Sequence, residues 1–350
     1  TRVLFEETSD TQINLSQHYD ERPTFMPLPE SNEVLWFSER SGWAHLYLYD
    51  LKTGQLKHPV TRGDWLVRSI LAFDASRREV FVQTAGRGIN SDGSDPDPGR
   101  DPYYRDIARI NVDTGDITTI AASNHDYFAA SQKDYSTYVA IDMGRDAKRS
   151  NSISPTGNFI AVTRSRADAV PVSLVFDRDA KEILSLETAD ISALPDGWSW
   201  PEPVKLLAAD GKTDIYGLVF RPSHFDPEQS YPIISHVMNT PDVVWVSKGS
   251  FSNGTPLDWT YLDAAALAEL GFIVVQIDGR GTTYRCKAFQ DESYGCILSG
   301  SNLDDHVAGI QQLAKRYPYM DVSRVGITSH LSGGTGGVQG LLQYPDFYKV

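Results

Sequence analysis

Near the end of the chain, Ser329-His-Leu-Ser-Gly333 lies between an apolar run, Val325 to Thr328, and a stretch whose apolar positions are Val338, Leu341 and Leu342. The run has the length and β-branching of a buried strand, and the stretch has helical periodicity. The glycines from Gly333 to Gly337 make the connection between them sharp. Strand, glycine turn and helix in this order present a nucleophile in the pattern G-x-S-x-G. There a serine Oγ attacks an acyl carbon, and the next residue's backbone N–H helps hold the oxyanion. In this chain the five positions are Ser329, His330, Leu331, Ser332 and Gly333, so the central slot holds Leu331. Leucine has no nucleophilic atom, and its bulk suits the strained backbone of that slot poorly. Ser332 is the candidate nucleophile one place late. Centring the pattern on it puts His330 where a glycine is wanted and turns the side chain by about 100° along a helix.

Other titratable residues are weaker candidates. His330 is a conceivable base, but a neighbour of the nucleophile slot points to a different face, so it is expected to pack against the sheet. His236, near a strand end, and His306, on a helix, are expected to be structural. Asp278 and Arg280 follow the carboxyl end of a strand, where α/β sheets place ligands. The two cysteines, Cys286 and Cys296, are too few for a metal centre; isolated thiols are favoured over a disulfide. No cofactor and no metal site are expected. The formal net charge of −14 argues against a nucleic-acid partner or an anionic membrane surface, because either needs a basic patch. No apolar run of about 18 residues is present, and Thr1-Arg-Val-Leu-Phe-Glu-Glu leads into strand-like sequence rather than a leader.

The elements that must position these residues fall into two grammars. Residues 1–195 are all-β and repetitive. A polar turn followed by a strand recurs at Pro29–Phe37, Asp74–Val82 and Ser154–Val162. A hairpin with alternating apolar residues recurs at His45–Gly54, Ile107–Gly115 and Ser173–Lys181. Two motifs alternating three times in one order predict four-stranded propeller blades, with a β-sandwich as the alternative. About three blades do not close a ring, and Val3–Leu15 has the pattern of last strands of an earlier blade, so an incomplete propeller is expected. Residues 86–106, rich in Gly, Asp and Pro, read as a solvated surface loop without the ligand order of a calcium loop.

Residues 196–350 alternate strand and helix. Ile215–Phe220, Tyr231–Met238 and Phe272–Asp278 are strands, and Leu262–Leu270 is a helix closed by Gly271. Leu303–Tyr317 is an amphipathic helix, with Asp304 and Asp305 in its first turn and Lys315 and Arg316 in its last, as the helix dipole favours. The elbow strand and helix follow. This order predicts the N-terminal half of an α/β-hydrolase domain, ending just after the nucleophile elbow.

The succession of blades, Asp278-Gly-Arg-Gly281, amphipathic helix and elbow resembles the prolyl-oligopeptidase family of serine peptidases, in its dipeptidyl-peptidase IV-like branch. Ser38–Tyr49, Thr61–Trp65, Asn302–Ala308 and Tyr344–Val350 carry the likeness. The resemblance implies an exopeptidase that releases N-terminal dipeptides, often after proline, from a peptide held in a cavity between propeller and hydrolase. It places the nucleophile at Leu331 and one oxyanion donor at the Ser332 backbone N–H. The second donor, a tyrosine hydroxyl in this family, falls on Met238 of Met238-Asn-Thr-Pro241, which has no hydroxyl to donate. The family's acid and base follow the elbow, yet no histidine lies beyond His330. Its paired propeller glutamates have no clear counterpart, because Glu6-Glu7 lacks the surrounding motif. Asp278 and Arg280 are implied to fix their turn. The expected function is thus a peptidase scaffold with impaired or absent catalysis, the alternative being a non-catalytic binding protein, or pseudoenzyme. A homo-oligomer is expected from the open sheet edges.

Overall fold

The structure, a computed structural model, describes residues 2–17, 23–88, 99–129, 151–238, 243–251, 259–296, 302–330 and 333–350. Residue contacts group the chain into two units. The first comprises Thr1–Ser165, Val172–Thr188 and Tyr284–Ala288; the second comprises Arg166–Pro171, Ala189–Thr283 and Phe289–Val350.

The β-rich unit carries three four-stranded sheets, each hydrogen-bonded in chain order. The first holds β1 (Phe25–Leu28), β2 (Glu33–Ser38), β3 (His45–Asp50) and β4 (Leu56–Pro59). The second holds β5 (Leu66–Asp74), β6 (Glu79–Ala85), β7 (Arg105–Asn111) and β8 (Ile117–Ala121). The third holds β9 (Asp126–Phe128), β10 (Phe159–Arg166), β11 (Ala169–Asp177) and β12 (Glu182–Thr188). These are the blades anticipated from the repeats. The hairpin repeat has a local cause, since an Asx side chain ends the third strand of each sheet and accepts backbone N–H groups of the following turn. Asp50 takes those of Lys52 and Thr53, Asn111 those of Asp113 and Thr114, and Asp177 those of Asp179 and Lys181. The second and third sheets share a core that includes Phe81, Ile107, Ile160, Leu174 and Phe176.

Two expectations need correction here. The opening Val3–Leu15 forms no strand. It lies along the first sheet through side chains instead: Phe5 stacks on Tyr49 with ring centroids 4.1 Å apart, and Glu7 accepts hydrogen bonds from Trp36 Nε1 and Arg40 Nη2. The end of the expected 86–106 loop is core rather than solvated surface. Tyr103, Tyr104, Arg100 and Asp106 are buried, and Arg100 pairs with Asp106 while Arg105 pairs with Asp126. Ion pairing lets this polar composition enter the interior. Residues 89–98 of that stretch lie outside the described residues.

The α/β unit is a mixed five-stranded sheet of β13 (Glu202–Leu207), β14 (Asp214–Phe220), β15 (Tyr231–Val237), β16 (Ile273–Asp278) and β17 (Met320–Ser329), in the order β13-β14-β16-β15-β17. β15 runs parallel to β16 and β17, and β14 antiparallel to β13 and β16. Helices α1 (Trp259–Glu269), α3 (Leu303–Arg316) and α4 (Gly333–Gln343) complete it, and the short α2 (Lys287–Asp291) has its first two residues in the β-rich unit. Alternation along β16 buries both faces of the sheet. Ile273, Val275 and Ile277 join the core with Ile310 and Leu313 of α3, and Val274 joins that with Tyr261, Ala264 and Ala268 of α1. Strand β13 and the short α2 were not anticipated. In β13, Pro203 obscures the alternation of Val204 and Leu206, which is tolerable because β13 is an edge strand.

Candidate active site

Two connections leave the carboxyl ends of the strands that flank β15 in the α/β unit: the turn after β16 and the elbow after β17. The first is held by buried charge. Asp278, fully buried, accepts the backbone N–H groups of Trp245 at 2.8 Å and Val246 at 3.1 Å, and the Lys248 ammonium at 2.9 Å. Burial raises the Asp278 pKa, and Lys248 with the two N–H groups opposes that shift. Two residues on, Arg280 is gripped by α3. Its backbone N–H donates to Asp305 Oδ2 at 2.7 Å, and its guanidinium donates to both oxygens of Asp305 and to Asp304. Asp305 also accepts the Ala209 N–H at 2.8 Å. Asp278 and Arg280 therefore fix the turn.

At the elbow the frame is just as tight. Parallel pairing sets Val237 of β15 beside Ser329 of β17, so both strands end at the same level. The Gly333 N–H donates to the His330 carbonyl at 2.8 Å. A Cβ at Gly333 would sit 2.9 Å from Met238 Sδ and 3.3 Å from the Val237 carbonyl oxygen; one at Gly340 would sit 2.7 Å from Ile327 Cδ1. Only glycine lets α4 lie this close to the strands. Leu331 and Ser332, the nucleophile slot and the late serine, lie outside the described residues. Met238, in the tyrosine slot, is buried with Val243 and Trp245 beside the start of α4. It fills that position with a thioether and no O–H donor.

The histidines separate in environment. His330 is exposed, with its ring edge-on to Trp259 at 4.9 Å, so the expected packing against the sheet does not occur. His236 is buried. Its Nδ1 accepts from Gln276 Nε2 at 3.0 Å, which puts the proton on Nε2, 3.5 Å from Asp263 Oδ2. Burial pulls the His236 pKa down to about 4; Asp263 opposes the shift and the neighbouring His330 adds to it. His306 is fully buried on α3 with neither ring nitrogen hydrogen-bonded, and burial brings it to about 4 as well. Both imidazoles are neutral at pH 7. Among the described residues no group of His, Cys, Asp and Glu has the arrangement of a metal site, and Cys286 and Cys296 form no disulfide. Among the described residues no helix is long and apolar enough to cross a membrane.

Sequence reasoning missed Lys248, Trp245, Asp263 and Gln276. It also read Asp305 as a helix-dipole partner rather than the anchor of Arg280. The signal for Asp305 was present in its doubling with Asp304 at the helix start, but its partner lies 25 residues away.

Two family models match the chain. One describes the dipeptidyl peptidase IV N-terminal region and covers residues 1–145; the other describes the prolyl oligopeptidase family and covers residues 259–350. Dipeptidyl peptidase 8 of Homo sapiens is 25% identical over 374 residues, spanning 99% of this chain and 38% of the relative. Its counterpart in Mus musculus is 24% identical over 370 residues, with 99% and 38% covered. The crystal structure of Porphyromonas gingivalis dipeptidyl peptidase 4 superposes with a TM-score of 0.71 at 22% identity, covering 98% of this chain and 42% of that one. The chain thus spans less than half the length of these relatives. With the blades, the hydrolase sheet and the elbow frame in place, the chain has the fold of these relatives and is similar to the dipeptidyl peptidase IV N-terminal region over residues 1–145 and to the prolyl oligopeptidase family over residues 259–350.

Proposed function

We propose that the chain is a dipeptidyl-peptidase-like scaffold whose acyl-transfer centre is silent. The relatives are named dipeptidyl peptidases, so a peptide is the ligand class this function implies, and its natural relatives' chemistry is release of N-terminal dipeptides. The observation that carries the proposal is the mismatch at the elbow. The glycine contacts that hold α4 against β15 and β17 are retained, while the slot they serve holds Leu331 and the tyrosine position holds buried Met238. Loss of one triad member costs about four to six orders of magnitude in rate. Among the described residues the two histidines nearest the elbow are otherwise engaged: His236 is buried with its ring nitrogens directed at Gln276 and Asp263, and His330 stands against Trp259.

The test is a fluorophosphonate probe with mass mapping of the labelled residue, alongside hydrolysis of a dipeptidyl chromogenic substrate. The wild-type chain is expected to remain unlabelled and to leave the substrate intact. Leu331→Ser is also expected to stay silent, because Met238 still supplies no hydroxyl as the second oxyanion donor. Labelling of Ser332 in the wild type would overturn the proposal and make the late serine a nucleophile.

A further inference from the structure

At the carboxyl end of the parallel pair β15 and β17, helix α1 presents two side chains that the acyl-transfer centre does not use. Trp259 and Asp263 stand four residues apart, so they share one face of the helix. Trp259 is 37% exposed. Its ring centroid lies 4.9 Å from that of His330 and 5.5 Å from that of Trp245. The interplanar angles are 67° and 87°, so neither neighbour is stacked in parallel over the indole. The Asp263 side chain is 53% exposed, with Oδ2 3.5 Å from His236 Nε2.

Beneath this rim the support is fixed. His236 and Trp245 are buried with their rings 5.0 Å apart, and Gln276 Nε2 donates to His236 Nδ1. Asp263, His236, Trp245, Trp259 and His330 therefore form one row of contacts, running from α1 to the residue that follows β17. The inner members are locked by packing, and the outer ones keep surface for a ligand. Such a rim needs little reordering to bind.

Its chemistry selects a sign. The face of an indole attracts cations through its quadrupole, and the neighbouring carboxylate supplies acceptor oxygens and negative charge. A long side chain with an apolar stem and a cationic head satisfies both at once. An anion would be repelled by Asp263, and a wholly apolar group would desolvate that carboxylate without pairing it. The formal net charge of −14 favours the approach of positively charged ligands.

We propose that Trp259 and Asp263 recognise a lysine or arginine side chain of a bound peptide, with its stem against the indole and its cation at the carboxylate. This recognition rests on the peptide-scaffold function above and adds to it the charge class of the ligand.

Calorimetric titration of the full chain with hexa-alanine peptides tests it. One set carries a single lysine at each position in turn, and its counterpart carries norleucine, which keeps the stem and removes the charge. At one position or more the lysine peptide is expected to bind about 10-fold tighter than its norleucine counterpart. Asp263→Asn and Trp259→Leu are each expected to cut that preference to about threefold or less, while Trp259→Phe keeps an aromatic face and most of the preference. Circular dichroism reports that each variant is folded. Asp179→Asn removes an 81% exposed carboxylate of the β-rich unit and is expected to leave the preference unchanged. Equal binding of lysine and norleucine peptides would overturn the recognition site and leave the peptide scaffold standing. A preference that survives Asp263→Asn, or falls as far in Asp179→Asn, would also overturn the site. Binding of neither set would overturn the scaffold and the site together. Mass spectrometry of the recovered peptides separates the remaining case, since cleavage with the lysine preference intact would overturn only the silence of the acyl-transfer centre.

Discussion

The turn after β16 and the elbow after β17 leave adjacent regions of one sheet, yet they have been held in opposite ways. At the first, the side chains that fix the backbone are charged, buried and mutually satisfied: Asp278 with Lys248, Arg280 with Asp305. At the second, the backbone is fixed by the absence of side chains, since Gly333 and Gly340 let α4 close on the strands. The difference teaches why one site constrains its residues and the other does not. A buried carboxylate cannot be exchanged without stranding its cation, so the Asp278–Gly281 turn dictates its own sequence. A glycine frame dictates only the glycines. It leaves free the residue in the slot it presents, which in this chain is Leu331.

The largest effect should come from breaking the charged turn. Asp305→Ala leaves the Arg280 and Ala209 backbone N–H groups without their acceptor and removes the buried carboxylate of the Arg280 guanidinium, leaving only the more exposed acids, and is expected to cost about 3–5 kcal/mol of stability, read from the chemical-denaturation midpoint. If the loss were as small as that of a surface pair, the turn would not be the rigid half of the comparison.

How far all this was legible in the sequence follows the same division. Strands, blades and the elbow frame were readable because their causes are local: alternation along β2, β6 and β10, Asx-capped turns after β3, β7 and β11, glycines at the start of α4. The opening segment was misread because the apolar residues of Val3–Leu15 look like a strand, whereas what holds them is a set of side-chain contacts to Trp36, Ser38, Arg40 and Tyr49. At the site, Leu331 in the motif's serine position and Met238 in the expected tyrosine position were legible from motif positions alone. The roles of Asp305, Lys248 and Gln276 were not, because each is defined by a partner at least 25 residues away in the chain.

One buried histidine sits on each side of the comparison, His306 beside Asp305 on α3 and His236 at the end of β15. Both have folded-state pKa values near 4, below the roughly 6.5 of an unfolded histidine. Between those values the unfolded chain binds protons that the folded chain refuses, so stability falls as pH drops from about 6.5 to about 4. Each histidine contributes on the order of 3 kcal/mol across that window. Replacing His306 by Leu should flatten the pH dependence of the unfolding midpoint by one histidine's share while the His236 share remains. An unchanged slope would mean that His306 is protonated inside the fold.

A smaller effect is expected from the glycine frame. Gly340→Ala forces a Cβ to 2.7 Å from Ile327 Cδ1 and 3.3 Å from the Tyr348 ring. The isoleucine end can shift by rotamer change while the buried Tyr348 ring is less free, so a loss of about 1–3 kcal/mol is expected. A neutral thermal midpoint would show that α4 can move off the strands, and the frame would then be looser than the charged turn.

The finest test uses two adjacent carboxylates on one helix. Asp304 and Asp305 both bond the Arg280 Nη2 at 2.9 Å, but the Asp304 side chain is 45% exposed and that of Asp305 is fully buried. Asp304→Ala removes one of several partners of a cation that Asp305 still grips through its backbone N–H and its guanidinium, and water replaces the lost carboxylate. The expected cost is below about 1 kcal/mol, and it should shrink further as salt is added, because only the exposed pair is screened. Comparing its denaturation midpoint with that of Asp305→Ala separates burial from charge at constant distance. Equal losses would mean that the charge count around Arg280, and not desolvation, holds the turn in place.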